Sequence, residues 1–179
     1  MTRKVIAGLL CLVSLAGCMP QTEAADAASV VYAEVADRIG DGEQAGWITD
    51  AIFYASDLYQ VDPLLVAAMM EQESSFSMEA TSSAGAIGLM QLMPRTAAGI
   101  GIDPYDPLQN VMGGVFYLRT LLDSFASWGE YAVTDAVAGY NTGGQAVIDH
   151  GGVPMYGETV AYVRAVDAAY RRLLSYCDE

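Results

Sequence analysis

Two recurring features of the sequence predict an all-α domain. From Trp47 onward, apolar residues return at three- and four-residue spacing, the period of a helix with one buried face. Two of these segments open with Asp-Pro, an N-cap residue followed by proline at the first helical position. The region 74–91 is rich in Gly and Ser, so we expect it to leave the helical pattern as a short irregular or hairpin excursion.

The helices are predicted in chain order from their start and stop signals. A short helix over 29–39 is capped by Ser29 and ended by Gly40. Asp62 is the expected N-cap of the helix that contains Pro63 at its first position. The remaining periodic segments cover 47–59, 61–74, 106–125, 130–141 and 157–176. A chain of 179 residues is long enough for one such domain, which we place at 46–179.

The first 17 residues are predicted to be a cleaved export signal. A basic pair, Arg3-Lys4, precedes an apolar run that is too short to span a bilayer and ends in small residues. The segment Leu-Ala-Gly-Cys that ends at Cys18 resembles the lipobox of bacterial lipoproteins, which implies cleavage before Cys18 and its acylation. Multiple acyl chains anchor stably. Residues 18–45 are then the lipidated cysteine and an acidic tether that includes the short helix. The alternative is an ordinary signal peptide that happens to contain a cysteine.

Charge and cysteine content exclude several classes of function. Loss of the signal would leave 6 basic and 22 acidic residues, a net charge of −16 without any lysine. Nucleic acids are therefore not expected as partners, because phosphates are neutralised by clustered Lys and Arg. His150 is the only histidine and Cys177 the only cysteine after Cys18. Neither a zinc site, nor another cofactor, nor a disulfide framework is predicted.

Two glutamates lie close together in the stretch EQESSF, residues 71–76. At roughly 100° per residue, Glu73 shares a helix face with Met69 and Met70, whereas Glu71 is about 200° away from it. We therefore expect no cooperating pair, and we expect Glu71 to be solvated. Partial burial at a helix C-terminus would raise the pKa of Glu73, as a general acid requires. Periodicity alone leaves open that Glu73 leans into solvent.

Four sequence blocks point to one family. ESSFSMEATSSAGAIGLMQLMPRTA occupies 73–97, DPLQNVMGGVFYL follows at 106–118, YNTG at 140–143 and ETVAYV at 158–163. In this order they resemble the signature of the family 1 soluble lytic transglycosylases, which share the goose-type lysozyme fold. The resemblance covers about residues 47–170 and implies an α-rich, lysozyme-like catalytic domain. Ser83 and Thr142 depart from the usual pattern without removing a group that the chemistry needs.

The resemblance implies cleavage of peptidoglycan at the β-1,4 bond between N-acetylmuramic acid and N-acetylglucosamine. Most glycosidases use two carboxylates. The other acids near the matched blocks have simpler explanations, as excursion, capping, solvated mid-helix or first-turn residues: Glu79, Asp103, Asp106, Asp135 and Glu158. The resemblance implies that Glu73 acts alone, first as acid and then as base, while the sugar's acetamide supplies the nucleophile and a 1,6-anhydro ring closes. No cofactor is involved.

The resemblance also implies a set of residues that contact glycan: Ser74, Ser82, Gly88, Met90, Gln91, Tyr140, Asn141 and Tyr162. For several of them the residues alone leave alternatives open. Gln91 either binds sugar or braces its loop, and Ser74 and Ser82 either position reacting groups or cap local backbone. Gly88 is explained equally well by turn geometry, and Asn141 is expected to brace the fold rather than touch sugar.

The sequence also implies a cellular location, and it leaves two alternative activities open. Met19 after the acylated cysteine, in place of the aspartate that retains lipoproteins at the inner membrane, implies the periplasmic face of the outer membrane. The alternatives to a transglycosylase are a hydrolytic goose-type lysozyme-like muramidase and a catalytically silent peptidoglycan-binding lipoprotein.

Overall fold

A computed structural model describes residues 21–177, which confirm the all-α prediction. The predicted export signal and the lipidation of Cys18 lie outside the described residues. The described helices are α1 (Gln21–Ile39), α2 (Gly42–Tyr59), α3 (Pro63–Ser74), α4 (Pro94–Ile100), α5 (Pro107–Phe125), a 3-10 helix (Ala126–Tyr131), α6 (Ala132–Thr142), α7 (Gly144–His150) and α8 (Gly157–Cys177). Within residues 21–177, extended pairing is limited to isolated bridges between 81 and 92.

The helices form two compact units. The larger contains the described residues up to Phe116 and those from Ala169 onward; the smaller comprises Tyr117–Ala168. Both α5 and α8 contribute residues to each unit. No helix within the described part of the chain is both long and apolar enough to cross a bilayer.

The first helix is longer than predicted and belongs to the larger unit. It begins at Gln21 rather than at residue 29, so most of the segment predicted as a tether is helical. Ala27, Val31 and Val35, spaced by four residues, are buried at 2%, 0% and 0% exposure. The alanine-rich stretch before Ser29 favours helix, and the buried stripe packs α1 against α2 and α3. Residues before 46 thus contribute buried side chains to the larger unit.

Local caps set the ends of the next two helices. Asp41 accepts hydrogen bonds from the backbone N–H groups of Glu43 and Gln44 at 3.0 and 3.1 Å, which starts α2 five residues before the predicted Trp47. The predicted start of α3 is confirmed, because Asp62 accepts from the Leu64 N–H at 2.8 Å and Pro63 occupies the first turn.

Helix α3 is the central element of the larger unit. All eight of its residues from Leu64 to Glu71 are buried. An α-helix that is buried on every side has no solvated face. The expectation of a one-sided apolar stripe, with Glu71 on the opposite and solvated side, was therefore wrong for this helix.

Asp62 also binds α8, through Tyr170. The Tyr170 hydroxyl donates to Asp62 Oδ2 at 2.6 Å, and Tyr170 is buried at 5% exposure. Burial, followed by the negative charge and hydrogen bond of Asp62, raises the pKa of Tyr170 above its ordinary value. The phenol therefore remains a donor at pH values where exposed tyrosines ionise, and the start of α3 stays fixed to α8.

We expect Tyr170→Phe to lower the free energy of unfolding by about 1.5–3 kcal/mol at pH 7, the usual worth of a hydrogen bond to a charged group. Because the folded pKa of Tyr170 is raised, this contribution is complete below the unfolded pKa of about 10 and is lost as pH rises above it. Urea unfolding followed by circular dichroism at pH 7 and at about pH 10.5 should show a smaller alkaline loss in the variant. Tyr176→Phe, on an exposed position of the same helix, is the control. Equal alkaline losses in both variants would contradict the assignment.

The smaller unit is built around close helix contacts at glycine. A Cβ at Gly144 would lie 3.0 Å from Leu121 Cδ2, and one at Gly139 would lie 3.3 Å from both Leu121 and Phe125. The Phe125 ring packs edge-on against Trp128 at 4.8 Å between centroids. These small residues let α6 and α7 approach α5 closely. Helix α7 was not predicted, since seven residues are too few for a clear periodic pattern.

Candidate active site

Glu73 lies in the last turn of α3 and is half-buried. The chain then turns through two consecutive left-handed residues, Ser75 (φ 50°) and Phe76 (φ 64°). This conformation is uncommon for residues other than glycine, and it persists only where the surroundings enforce it. Phe76 is completely buried, which holds the turn in place. Backbone strain of this kind is frequent at functional sites.

The excursion after α3 is a small hydrogen-bonded structure, as predicted for 74–91. Isolated antiparallel bridges join Thr81 to Ile87 and Ile87 to Leu92. The Ser82 N–H donates to the Ala86 carbonyl at 2.9 Å. The Ser82 hydroxyl in turn accepts from the Ala86 N–H at 3.0 Å. Of the two roles open to Ser82, the structure therefore shows the local backbone cap.

Ser74 connects the end of α3 to this excursion. Its hydroxyl donates to the Leu89 carbonyl at 2.8 Å and lies 3.3 Å from the Met70 carbonyl. The residue next to Glu73 thus holds the helix terminus against the excursion, 15 residues further along the chain.

Gln91 braces the excursion from its other end. Its Nε2 donates to the Gly88 carbonyl at 2.9 Å and to the Ala80 carbonyl at 3.2 Å. The backbone of Gln91 is left-handed, with φ of 45°. The bracing alternative therefore accounts for the amide nitrogen of Gln91.

Asn110, on α5, is the main polar anchor of the excursion. Its side chain is fully buried. Oδ1 accepts from the Met90 N–H at 2.8 Å, and Nδ2 donates to the carbonyls of Ile87 and Pro104 at 2.8 and 2.9 Å. Sequence reasoning matched Asn110 to the family pattern but gave it no role. The signal in the sequence that could have indicated a role for Asn110 is its position one turn after the Asp-Pro start of α5.

Gly88 is required by Asn110. Its φ is 75°, and an added Cβ would lie 2.6 Å from Asn110 Nδ2 and 2.8 Å from Cγ. Real Cβ atoms do not approach polar neighbours so closely. The turn geometry left open as an alternative for Gly88 is present, and the nearby Asn110 side chain is a second reason for glycine at this position.

Met90, which was expected to contact glycan, has no exposed side-chain surface in the structure. Its side chain is fully buried, as are those of its neighbours Leu89 and Leu92, at 0–2% exposure. The apolar residues of the block GLMQL fill the core beneath the excursion, because there they remove the most surface from water. The backbone N–H of Met90 donates to the Asn110 anchor.

Glu71 was expected to be solvated, and it is buried at 7% exposure. Its Oε1 accepts from Arg38 Nη2 and its Oε2 from Arg172 Nη2, each at 2.6 Å. Both carboxylate oxygens of Glu71 are thus engaged in ion pairs. The two glutamates of EQESSF were predicted not to cooperate, and Glu71 is engaged by arginines rather than by solvent.

The other acids considered as a second carboxylate fall into three groups. Glu79 and Glu158 are exposed, while Asp103 and Asp106 accept local backbone hydrogen bonds from Tyr105 and Gln109 at 2.9 Å each. Asp135, expected to be solvated, is buried at 2% exposure, so that expectation was wrong. It follows Thr134 on a stretch of α6 whose residues are buried to Gly139, which is why a mid-helix position did not keep it in solvent.

Three of the predicted site residues belong to the smaller unit. The Tyr140 ring packs against Tyr117 at 5.3 Å between centroids, and burial raises the pKa of Tyr117. Asn141 Oδ1 accepts from the Thr159 hydroxyl at 3.0 Å, which supports the bracing role expected for it. Tyr162 is half-buried on α8. Glu73, Ser74, Ser82, Gly88 and Gln91 lie together in the larger unit, and Tyr140, Asn141 and Tyr162 in the smaller.

The described residues contain no group of three or more His, Cys, Asp and Glu side chains arranged to hold a metal ion.

Comparison with known proteins gives consistent matches. The family model described as the transglycosylase SLT domain matches residues 50–157. A transglycosylase of Enterobacteria phage PRD1 is 43% identical over 95 residues, which cover 52% of this chain and 34% of that protein. The membrane-bound lytic murein transglycosylase C of Glaesserella parasuis is 36% identical over 112 residues, which cover 52% of this chain and 30% of the relative. This chain thus spans about a third of the length of these relatives.

A solved structure shares the fold. It is that of an inactive glutamate-to-glutamine mutant of the lytic transglycosylase Slt from Pseudomonas aeruginosa. The TM-score is 0.57 at 26% sequence identity, and the alignment covers 71% of this chain and 24% of that one.

Proposed function

This chain belongs to the transglycosylase SLT domain family, and from that premise we propose that it is a peptidoglycan lytic transglycosylase. It would cleave the β-1,4 bond between N-acetylmuramic acid and N-acetylglucosamine without consuming water and leave 1,6-anhydromuramic acid ends. The observation that carries the proposal is the match over residues 50–157, which contains Glu73 and the whole braced excursion that follows it.

Glu73 is the proposed catalytic acid. It is half-buried at the strained end of a central helix, while the carboxylate of Glu71 is held by two arginines. A glutamate-to-glutamine mutant of the Slt relative is described as inactive. A single working carboxylate fits a substrate-assisted reaction, a known exception to the two-carboxylate pattern.

The proposed reaction has two steps. Glu73 gives its proton to the glycosidic oxygen while the acetamide oxygen of N-acetylmuramic acid attacks the anomeric carbon, which forms an oxazolinium-like intermediate and breaks the bond to the leaving sugar. The ionised Glu73 then takes the proton of the C6 hydroxyl. The C6 oxygen attacks the anomeric carbon and displaces the acetamide oxygen, so the proton count is restored. One group serves as acid and base best when its pKa lies near the working pH.

The other site residues have supporting roles in this proposal. Ser74 holds the excursion against the end of α3, Asn110 anchors it to α5 and Gln91 braces it from within, so that the backbone following Glu73 is fixed. Tyr140 and Tyr162 are proposed to contact the glycan, and Asn141 is proposed to brace the smaller unit through Thr159. Ser82 and Gly88 act through the backbone of the excursion.

We propose that the enzyme is attached to a membrane. The relative from Glaesserella parasuis is named as membrane-bound. An acylated Cys18 would supply the anchor for this chain, and Met19 would direct it to the periplasmic face of the outer membrane.

Mass spectrometry of digested sacculi tests the proposed activity. The purified mature protein should release muropeptides that are lighter by one water than hydrolysis products of the same composition. Reducing ends in place of anhydro ends would instead identify a hydrolytic muramidase. Binding to sacculi without any release of muropeptides would identify a silent glycan-binding protein.

A further inference from the structure

The ion pairs of Glu71 join a buried carboxylate to three more exposed charged residues. Arg38 Nη2 lies 2.6 Å from Glu71 Oε1 and 3.1 Å from Glu34 Oε1. Arg172 Nη2 lies 2.6 Å from Glu71 Oε2 and 3.0 Å from Glu34 Oε1. Each arginine therefore bridges both carboxylates, and the four formal charges sum to zero. We call Glu34, Arg38, Glu71 and Arg172 the arginine clamp.

The pKa of Arg172 is raised by this arrangement. Burial alone would lower the pKa of its guanidinium, but the hydrogen bond and charge of Glu71, followed by those of Glu34, outweigh burial and raise it. The side chain of Glu71 is 6% exposed, so its charge has little water around it. A buried carboxylate remains ionised only when it is paired in this way.

The clamp joins three helices of one unit. Glu34 and Arg38 belong to α1, Glu71 to α3 and Arg172 to the end of α8. The family model matches residues 50–157. Arg38 and Arg172 both lie outside this range. The segments that flank the matched region are thus tied to the helix that carries Glu73.

We propose that Glu71 is a positioning residue for Glu73, with Arg38 and Arg172 as the groups through which α1 and α8 fix the rotation of α3. The proposal rests on the proposed function, since it assigns Glu73 the catalytic role. Glu71 and Glu73 are two residues apart in one rigid turn, so rotation of α3 about its axis moves both carboxylates together.

Small rotations are sufficient to matter. A carboxylate roughly 6 Å from the helix axis moves by about 1 Å when the helix turns by about 10°. Misplacement of a reacting group by about 1 Å can slow a reaction roughly 100-fold. Apolar packing around α3 is non-directional, whereas two short ion pairs from opposite oxygens define one rotational setting.

The test is Glu71→Gln, assayed on soluble glycan fragments at a temperature where circular dichroism shows the variant folded. We expect kcat to fall by about 10- to 100-fold with KM within about threefold of wild type. Glu71→Asp keeps the charge for the two flexible arginines and should recover most of kcat. Val31→Ala is the control for lost stability, because it creates a cavity at a buried position of α1 outside the clamp. It should leave kcat unchanged.

Hydrogen exchange of the same variants gives a readout that does not depend on activity. Glu71→Gln should reduce the protection of amides 71–76 at least about tenfold relative to those of α2, and Val31→Ala should not. If Glu71→Gln does not fold, Arg172→Lys, which keeps the charge but loses the planar fork, takes its place with a smaller expected loss of kcat. Unchanged kcat, or a loss of protection spread evenly over the larger unit, would overturn the proposal. A wild-type protein that forms no anhydro ends would instead count against the proposed function, while the exchange result still tests the clamp.

Discussion

Glu73→Gln is expected to reduce glycan cleavage by about 100- to 10,000-fold, the range that general acid catalysis supplies. Glutamine has nearly the same size as glutamate but neither donates a proton to the glycosidic oxygen nor accepts one from the C6 hydroxyl. The half-buried setting of Glu73 should tolerate the neutral amide, so folding and binding to sacculi should persist. Release of anhydromuropeptides from purified sacculi, with a parallel sedimentation assay for binding, measures both properties.

The control for this experiment is Glu79→Gln. Glu79 is exposed in the excursion that follows Glu73, so its replacement changes net charge by the same amount without touching the proposed acid. We expect wild-type cleavage from it. Normal cleavage by Glu73→Gln would remove Glu73 from its role. Loss of sacculus binding together with cleavage would indicate that the substitution acts on recognition and not on proton transfer.

The sequence predicted best what neighbouring residues decide. The start of α3 was read from Asp62 and Pro63 because a cap is formed by residues adjacent in the chain. The interruption after α3 was read from glycine and serine for the same reason. Residues that hold the excursion together from within it, such as Ser82 and Gln91, were recognised with their bracing roles as open alternatives.

The sequence predicted poorly what distant residues decide. Glu71 was placed in solvent because its partners Arg38 and Arg172 lie 33 and 101 positions away. The angular positions of residues around one helix do not reveal partners that are distant in the chain. An interpretation based on them also assumes that one face of the helix is solvated. The same assumption misplaced Asp135, which is buried on α6. Met90 was assigned to glycan because the family block contains it, although its burial could not be judged from the block alone.

The predicted start of α1 was wrong for a related reason. Its first residues are polar and small, which is typical of a tether when no partner is known. Its buried stripe is defined by α2 and α3, which are later in the chain. The composition of this segment was thus compatible with either a tether or a helix, and packing against α2 and α3 determines that it is a helix.

Gly88→Ala is expected to lower the free energy of unfolding by about 2–4 kcal/mol. A left-handed φ of 75° costs a residue with a Cβ about 1–2 kcal/mol. The new methyl group would also lie 2.6 Å from Asn110 Nδ2. Displacing that buried amide would weaken its hydrogen bonds to the excursion, at about 1 kcal/mol each. Urea unfolding followed by circular dichroism measures the loss.

Gly85→Ala is the matched control for the backbone cost. Its φ is 89°, yet an added Cβ would meet nothing within 4 Å. The excess loss of Gly88→Ala over Gly85→Ala therefore reports the collision with Asn110 alone. In an Asn110→Ala background the collision partner is absent, so Gly88→Ala should there cost no more than Gly85→Ala does. Equal costs of Gly88→Ala in both backgrounds would show that Asn110 does not require a glycine at this position, and the anchor of the excursion would have to be sought elsewhere.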